Sequence, residues 1–214
     1  MTPVSVAVGA RETTARIYGA GSALLVLAHG AGAGQDHPFL VRYAEGLAAR
    51  GLAVATFDFC YVAEGRRVPD RMPQLVECYR AVVAAVRAPS HRRLVAGGKS
   101  MGGRAASMIA ADDPGFADAL VFLGYPLHPA KRPEQQRAAH LPRIAVPLLF
   151  VQGERDALGT PAELGPIVAG LPRARLLVVE GGDHSLTVPK RKRPQAEVDR
   201  EVQDAIAAFA QAPG

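Results

Sequence analysis

Apolar residues fall into two kinds of run along this chain. Short, nearly continuous ones have strand length: "ALLVLAHG" (23–30), "LAVATFDF" (52–59), "RLVAGG" (93–98), "DALVFLGYP" (118–126), "VPLLFVQGERD" (146–156) and "ARLLVVEGGDH" (174–184). Between them lie longer segments with helical periodicity, at 36–51, 72–88, 101–113, 161–171 and 194–211. In the second of these, Leu75, Val76, Tyr79, Val82, Val83 and Val86 form one stripe. Asp36 and Gly51 read as the N-cap and C-terminal glycine of the first. Strands without polar alternation must be covered on both faces. Their regular exchange with helices predicts an α/β fold with a mostly parallel, doubly wound sheet. The opening "VSVAVGARETTARIYG" alternates instead and predicts an antiparallel hairpin at the sheet edge. No internal repeat or low-complexity linker interrupts the pattern, so one domain over 1–214 is expected.

The stretch "RLVAGGKSMGGRAA" (93–106) overlays two motifs. Gly98-Lys99-Ser100 matches the tail of a phosphate-binding loop. That loop needs a glycine five positions before Gly98, where Arg93 stands, and the residues between favour a strand. "GAGAGQ" (30–35) fails as a dinucleotide fingerprint in the same way, because Gln35 occupies the third glycine position. Gly98-x-Ser100-x-Gly102 fits a nucleophile elbow, in which a strand turns sharply at serine and enters a helix. A side chain two residues either side of the serine would collide in so tight a turn.

A serine hydroxyl needs a base, and the base needs an orienting acid. Downstream, Asp156 follows the strand at 146–156 and His184 follows the next. Serine, acid and histidine then occur in the chain order used by α/β-hydrolases, all at the C-terminal edge of the sheet, where open α/β sheets bind ligands. Glu154 and Asp58 are alternative acids; Asp183 adjoins His184 and is expected to point away from it. An oxyanion needs two N–H donors. Met101, after the serine, supplies one. Ala31 in "HGAGAG" (29–34) supplies the other, with Gly30 and Gly32 as alternatives and His29 as the residue that orients the loop.

Composition adds little. Hydrophobic residues make up 49% and charged ones 21%, as in ordinary globular chains. Neither a leader sequence nor a membrane span is expected, and Cys60 and Cys78 suit neither a disulfide framework nor a zinc site. A cytoplasmic setting is therefore expected, with no cofactor and no metal. The net charge of +5 includes "PKRKRP" (189–194), which lacks interleaved aromatics, so nucleic-acid binding is not expected. Lys190 to Arg193, with Lys131 and Arg132, are expected to rim the serine site and favour an anionic substrate.

Together, "LAHGAGAGQDHPF", "GGKSMGGRAA", "LGYPLHP", "QGERD" and "GGDHS" resemble the α/β-hydrolase superfamily over almost the whole chain. The likeness is nearer to a small branch that includes dienelactone-hydrolase-like proteins, a testis-expressed protein and a subunit of the non-specific-lethal chromatin complex. The resemblance implies a serine triad. Dienelactone hydrolases use cysteine where this chain has Ser100. Only about twenty residues separate the strands ending near Tyr125 and beginning near Val146, too few for a multi-helix lid. Tyr125, Leu127 and His128 are candidates to line the acyl side. The expected function is hydrolysis of a small soluble ester or thioester, Ser100, His184 and Asp156 forming the catalytic set. The alternative is a non-catalytic interaction protein on the same scaffold. The sequence carries no signal of oligomeric state.

Overall fold

The computed structural model describes residues 1–212. Its strands are β1 (Thr2–Val8), β2 (Arg11–Tyr18), β3 (Ala23–Ala28), β4 (Ala53–Phe57), β5 (Arg93–Lys99), β6 (Ala119–Leu123), β7 (Leu148–Gly153) and β8 (Ala174–Val179). The helices are α1 (Pro38–Ala48), α2 (Cys60–Ala63), α3 (Met72–Val86), α4 (Met101–Asp112), α5 (Pro161–Ala169) and α6 (Gln195–Gln211). The strands form one sheet in the order β1-β2-β4-β3-β5-β6-β7-β8. β1 and β2 pair antiparallel as the alternating opening predicts, β2 joins β4 antiparallel, and the other pairings are parallel.

Every residue of β3, β4, β6 and β7 is buried, because both faces are covered. On one face α3, α4 and α5 pack with Leu75, Tyr79, Val82, Ile109 and Leu164. On the other, α1 and α6 contribute Phe39, Leu40, Leu47, Val202 and Ile206. Edge strand β8 is only partly buried. No helix among the described residues is long and apolar enough to cross a membrane.

Two details depart from the sequence reading. The N-cap of α1 is His37, whose Nδ1 accepts from the Phe39 N–H at 3.3 Å, with Pro38 at the first helical position. Asp36 instead pairs with Arg16 of β2. The second departure is in length: the strands end before His29 and Asp58, which the apolar runs included, while Asp156 and His184 follow strand ends as expected. His29, Asp58, Asp156 and His184 all lie in loops beyond strand ends. The chain leaves β3 in one direction to β4 and returns across it to β5. That reversal leaves a crevice at the carboxyl ends of β3 and β5.

Candidate active site

Ser100 joins β5 to α4 with φ 50° and ψ −113°. Such a backbone is strained for any residue with a Cβ. Its N–H donates to Leu123 O at 3.0 Å and its carbonyl accepts from Arg104 N at 3.0 Å, which hold the turn from both sides. The flanking glycines are required by contact. A Cβ on Gly98 would lie 2.3 Å from Ala28 O, and one on Gly102 2.6 Å from the same atom. The elbow is thus pressed against the end of β3.

Asp156 turns back from the end of β7. Its carboxylate is fully buried. It accepts from Leu158 N at 2.8 Å, from Gln152 Nε2 at 2.8 Å, and from His184 Nδ1 at 2.9 and 2.8 Å. The competing carboxylates are engaged elsewhere. Glu154 accepts from Gly181 N at 2.6 Å, and Asp58 accepts from Gln35 N at 2.7 Å. Asp183 accepts from Ser185 N and Thr187 N, which closes the turn that presents His184. Of the acids weighed from sequence, Asp156 is the one that meets the imidazole.

A cavity of about 300 Å³ is lined by His29, Gly30, Ala31, Lys99, Ser100 and His184, with apolar walls from Phe39, Leu40 and Leu158. The Ser100 hydroxyl is not hydrogen-bonded to the His184 ring among the described residues; in unliganded sites such contacts are commonly long and tighten with substrate. His29 is buried, accepts from Phe59 N at 3.1 Å through Nε2 and contacts Gly30 O at 2.8 Å through Nδ1. Both contacts suit a neutral ring protonated at Nδ1, and burial lowers its pKa. His29 therefore ties the glycine loop to the chain after β4. The N–H groups of Ala31 and Met101 have no hydrogen-bond partner among the described residues. Gly32, at φ 72°, lines the neighbouring hollow with Asp58 and Tyr61.

Other sequence candidates lie apart. Tyr125 and Leu127 are in the core, and the Tyr125 hydroxyl donates to Arg137 O at 2.9 Å. His128 is buried 3.3 Å from Glu163. None of the three lines the cavity. The connection between β6 and β7 packs down beside α4, where Ser107 Oγ and His140 Nε2 are 2.7 Å apart, so it does not form a lid over Ser100. The expected basic rim is not part of the cavity wall. Lys131, Arg132 and Lys190 to Arg193 are absent from its lining; Lys192 packs near Gly181, and Arg193 pairs with Glu201 of α6.

Gln152 was not anticipated. Its amide bridges Asp156, Gly159 O and Tyr125 from within β7. A glutamine in the otherwise apolar "LLFVQG" was the available signal, since a fully buried amide must find partners.

The model of the alpha/beta hydrolase domain matches residues 21–212. The chain belongs to the alpha/beta hydrolase family. Solved structures agree at low identity. An alpha-beta serine hydrolase homologue from Coxiella burnetii superposes with TM-score 0.75 at 18% identity, covering 99% of this chain and 97% of that one. Dienelactone hydrolase from Anabaena variabilis gives TM-score 0.75 at 22% identity, covering 96% and 94%. A serine hydrolase without lid from Xanthomonas campestris gives TM-score 0.75 at 16% identity, covering 100% and 96%. At these identities the likeness to the solved structures concerns the fold. Within this alpha/beta hydrolase, the chemistry has to be argued from the cavity itself.

Proposed function

We propose that this alpha/beta hydrolase cleaves carboxylic esters or thioesters of small soluble substrates through an acyl-enzyme. The observation that carries the reading is the fully buried Asp156 carboxylate on His184 Nδ1, in a ring that shares a cavity with the strained Ser100. With Nδ1–H donated to Asp156, Nε2 is left to act as base. His184 takes the Ser100 proton as Oγ attacks the carbonyl carbon. The tetrahedral oxyanion is held by the N–H groups of Ala31 and Met101. Its collapse breaks the ester bond, and His184 returns the proton to the departing alcohol or thiol. Water, activated by the same ring, then attacks the acyl-enzyme and releases the acid. Gly30 and His29 fix the loop that carries Ala31. The short β6–β7 connection leaves the cavity open, which suits soluble esters better than long-chain glycerides.

The test is labelling with a fluorophosphonate, followed by mass mapping and a series of 4-nitrophenyl esters of rising acyl length. Modification at Ser100 and turnover of the short esters support the reading. An unlabelled, folded protein with no esterase activity overturns it and leaves the non-catalytic alternative.

A further inference from the structure

Lys99 entered the sequence reading only as part of a phosphate-loop motif that failed. In the structure it ends β5, opposite Leu123 of β6, and extends on the sheet face covered by α1 and α6. Gly124 makes room for its tip, and Gly30 packs against its stem. A Cβ at Gly30 would lie 3.5 Å from Lys99 Cγ, and one at Gly124 would lie 3.2 Å from Nζ and 3.3 Å from His184 Nδ1. The lysine stem thus runs along the cavity from the glycine loop towards His184.

Lys99 is the one lysine or arginine among the described residues that line this cavity, and no aspartate or glutamate lines it. No carboxylate lies within 4.0 Å of Nζ among the described residues, and the nearest compensating charges are Asp156 and Asp183, acting at a distance. Burial outweighs that attraction and lowers the Lys99 pKa to about 8. A desolvated cation in a cavity walled in part by Phe39, Leu40 and Leu158 gains much from an anion brought in by a ligand. One ammonium matches one monoanion. A phosphate dianion would leave net negative charge against apolar walls, so a carboxylate is the better match.

We propose that Lys99 makes this cavity selective for esters that carry one free carboxylate, which its ammonium pairs while the ester carbonyl sits at Ser100. This rests on the serine-hydrolase reading above and names its substrate class. The other titratable groups around the cavity are Asp156, Asp183, His184, His29 and His37. The neutral ester of each pair reports their effect on the chemistry common to both, and the Lys99 variants separate Lys99 from their fields.

The experiment compares pairs that differ at the free carboxylate, which is placed on either side of the ester. These are mono(4-nitrophenyl) glutarate against its methyl ester, and 4-acetoxybenzoate against 4-acetoxybenzamide. In at least one pair, kcat/KM should favour the carboxylate by about ten- to a hundredfold at pH 7, the range of a charge-assisted hydrogen bond. The ratio should fall as pH rises through about 8, where the free enzyme loses the ammonium proton. Lys99→Met should collapse the ratio and Lys99→Arg should retain part of it. A wild-type ratio near one in both pairs, or a ratio that survives in Lys99→Met, overturns the proposal. The pH arm uses the wild-type protein, so it decides even if Lys99→Met does not fold. A third arm needs no turnover. Calorimetry on Ser100→Ala should show the glutarate half-ester binding at pH 7 and weakening at least tenfold at pH 9.5, with no such change for its methyl ester. Failure of hydrolysis with this binding intact would sink the hydrolase reading alone. Absence of the binding difference would sink the carboxylate assignment.

Discussion

His184 Nδ1 lies 2.9 and 2.8 Å from the two oxygens of Asp156, a carboxylate with no exposed surface. Three other donors or turns hold that carboxylate in place, so its orientation is not left to the histidine. Leu158 N and Gln152 Nε2 donate to it, and Asp156 N is held by Gly153 O at 3.1 Å.

Asp156→Asn removes the charge that steadies the imidazolium and misdirects the ring tautomer. The rate on a neutral short-chain ester should drop by about 10³- to 10⁴-fold, with the circular dichroism spectrum unchanged. An activity loss smaller than tenfold would show that Asp156 does not serve His184 in catalysis.

Ser100→Gly should abolish turnover and stabilise the fold. Glycine reaches φ 50° without the Cβ penalty that serine carries. The relieved strain is about 1 kcal/mol after glycine's larger unfolded-state entropy is subtracted. Ser100→Ala abolishes turnover without that relief. Urea midpoints of the two variants give the comparison, and Ser100→Gly should have the higher one.

Tyr79→Phe tests the support beneath the elbow. The Tyr79 hydroxyl on α3 donates towards Val26 O at 2.7 Å and accepts from Gly97 N at 2.8 Å, three residues before Ser100. Removing it leaves a buried N–H and a buried carbonyl without that partner. The cost should be about 1–3 kcal/mol, read as a lower urea midpoint at unchanged m-value.

His140 predicts an acid-side loss of stability. Burial, with Arg104 and Arg143 nearby, lowers its pKa to about 4 from an ordinary 6.5. Between those values the unfolded chain holds the proton and the folded one resists it, so stability falls as pH drops from about 6.5 towards 4. His29 and His91, also lowered by burial, add to the same slope. His140→Gln should flatten part of it in denaturation curves taken from pH 7 to pH 4. An unchanged slope would show that His140 does not resist protonation in the fold.

Gln152→Leu should preserve burial but release Asp156 Oδ2, Gly159 O and Tyr125. Loss of both stability and kcat is expected, with KM for a neutral ester little changed, because the amide orients the acid without lining the cavity. A variant that lost stability alone would assign Gln152 to the scaffold only.

Much of this architecture was legible along the chain because its causes are local or periodic. Apolar runs with no alternation require two covered faces, and β3, β4, β6 and β7 are buried throughout. The alternating opening became β1 and β2 at the edge. The small residues around Ser100 announced a strained turn that Gly98 and Gly102 permit. The sequence alone also placed Asp156 and His184 at one edge of the sheet, since a polar residue just past a buried strand must emerge there. What it could not decide was which groups meet across that edge. The chain order favoured Asp156 but left Glu154 and Asp58 open, and the turn through Gly153, Leu158 and Gln152 brought Asp156 to the histidine while Glu154 closed on Gly181. Tyr125 and Leu127 went to the core and His128 to Glu163, as the β6–β7 connection packs beside α4. The basic run at 190–193 is not part of the cavity lining, while Lys99, an unremarked position in the elbow motif, is. Side-chain direction at a strand end depends on pleat, twist and the neighbouring loops. Those are set by contacts between residues far apart in the chain, so only the tertiary structure decided which charged side chain lines the cavity with Ser100.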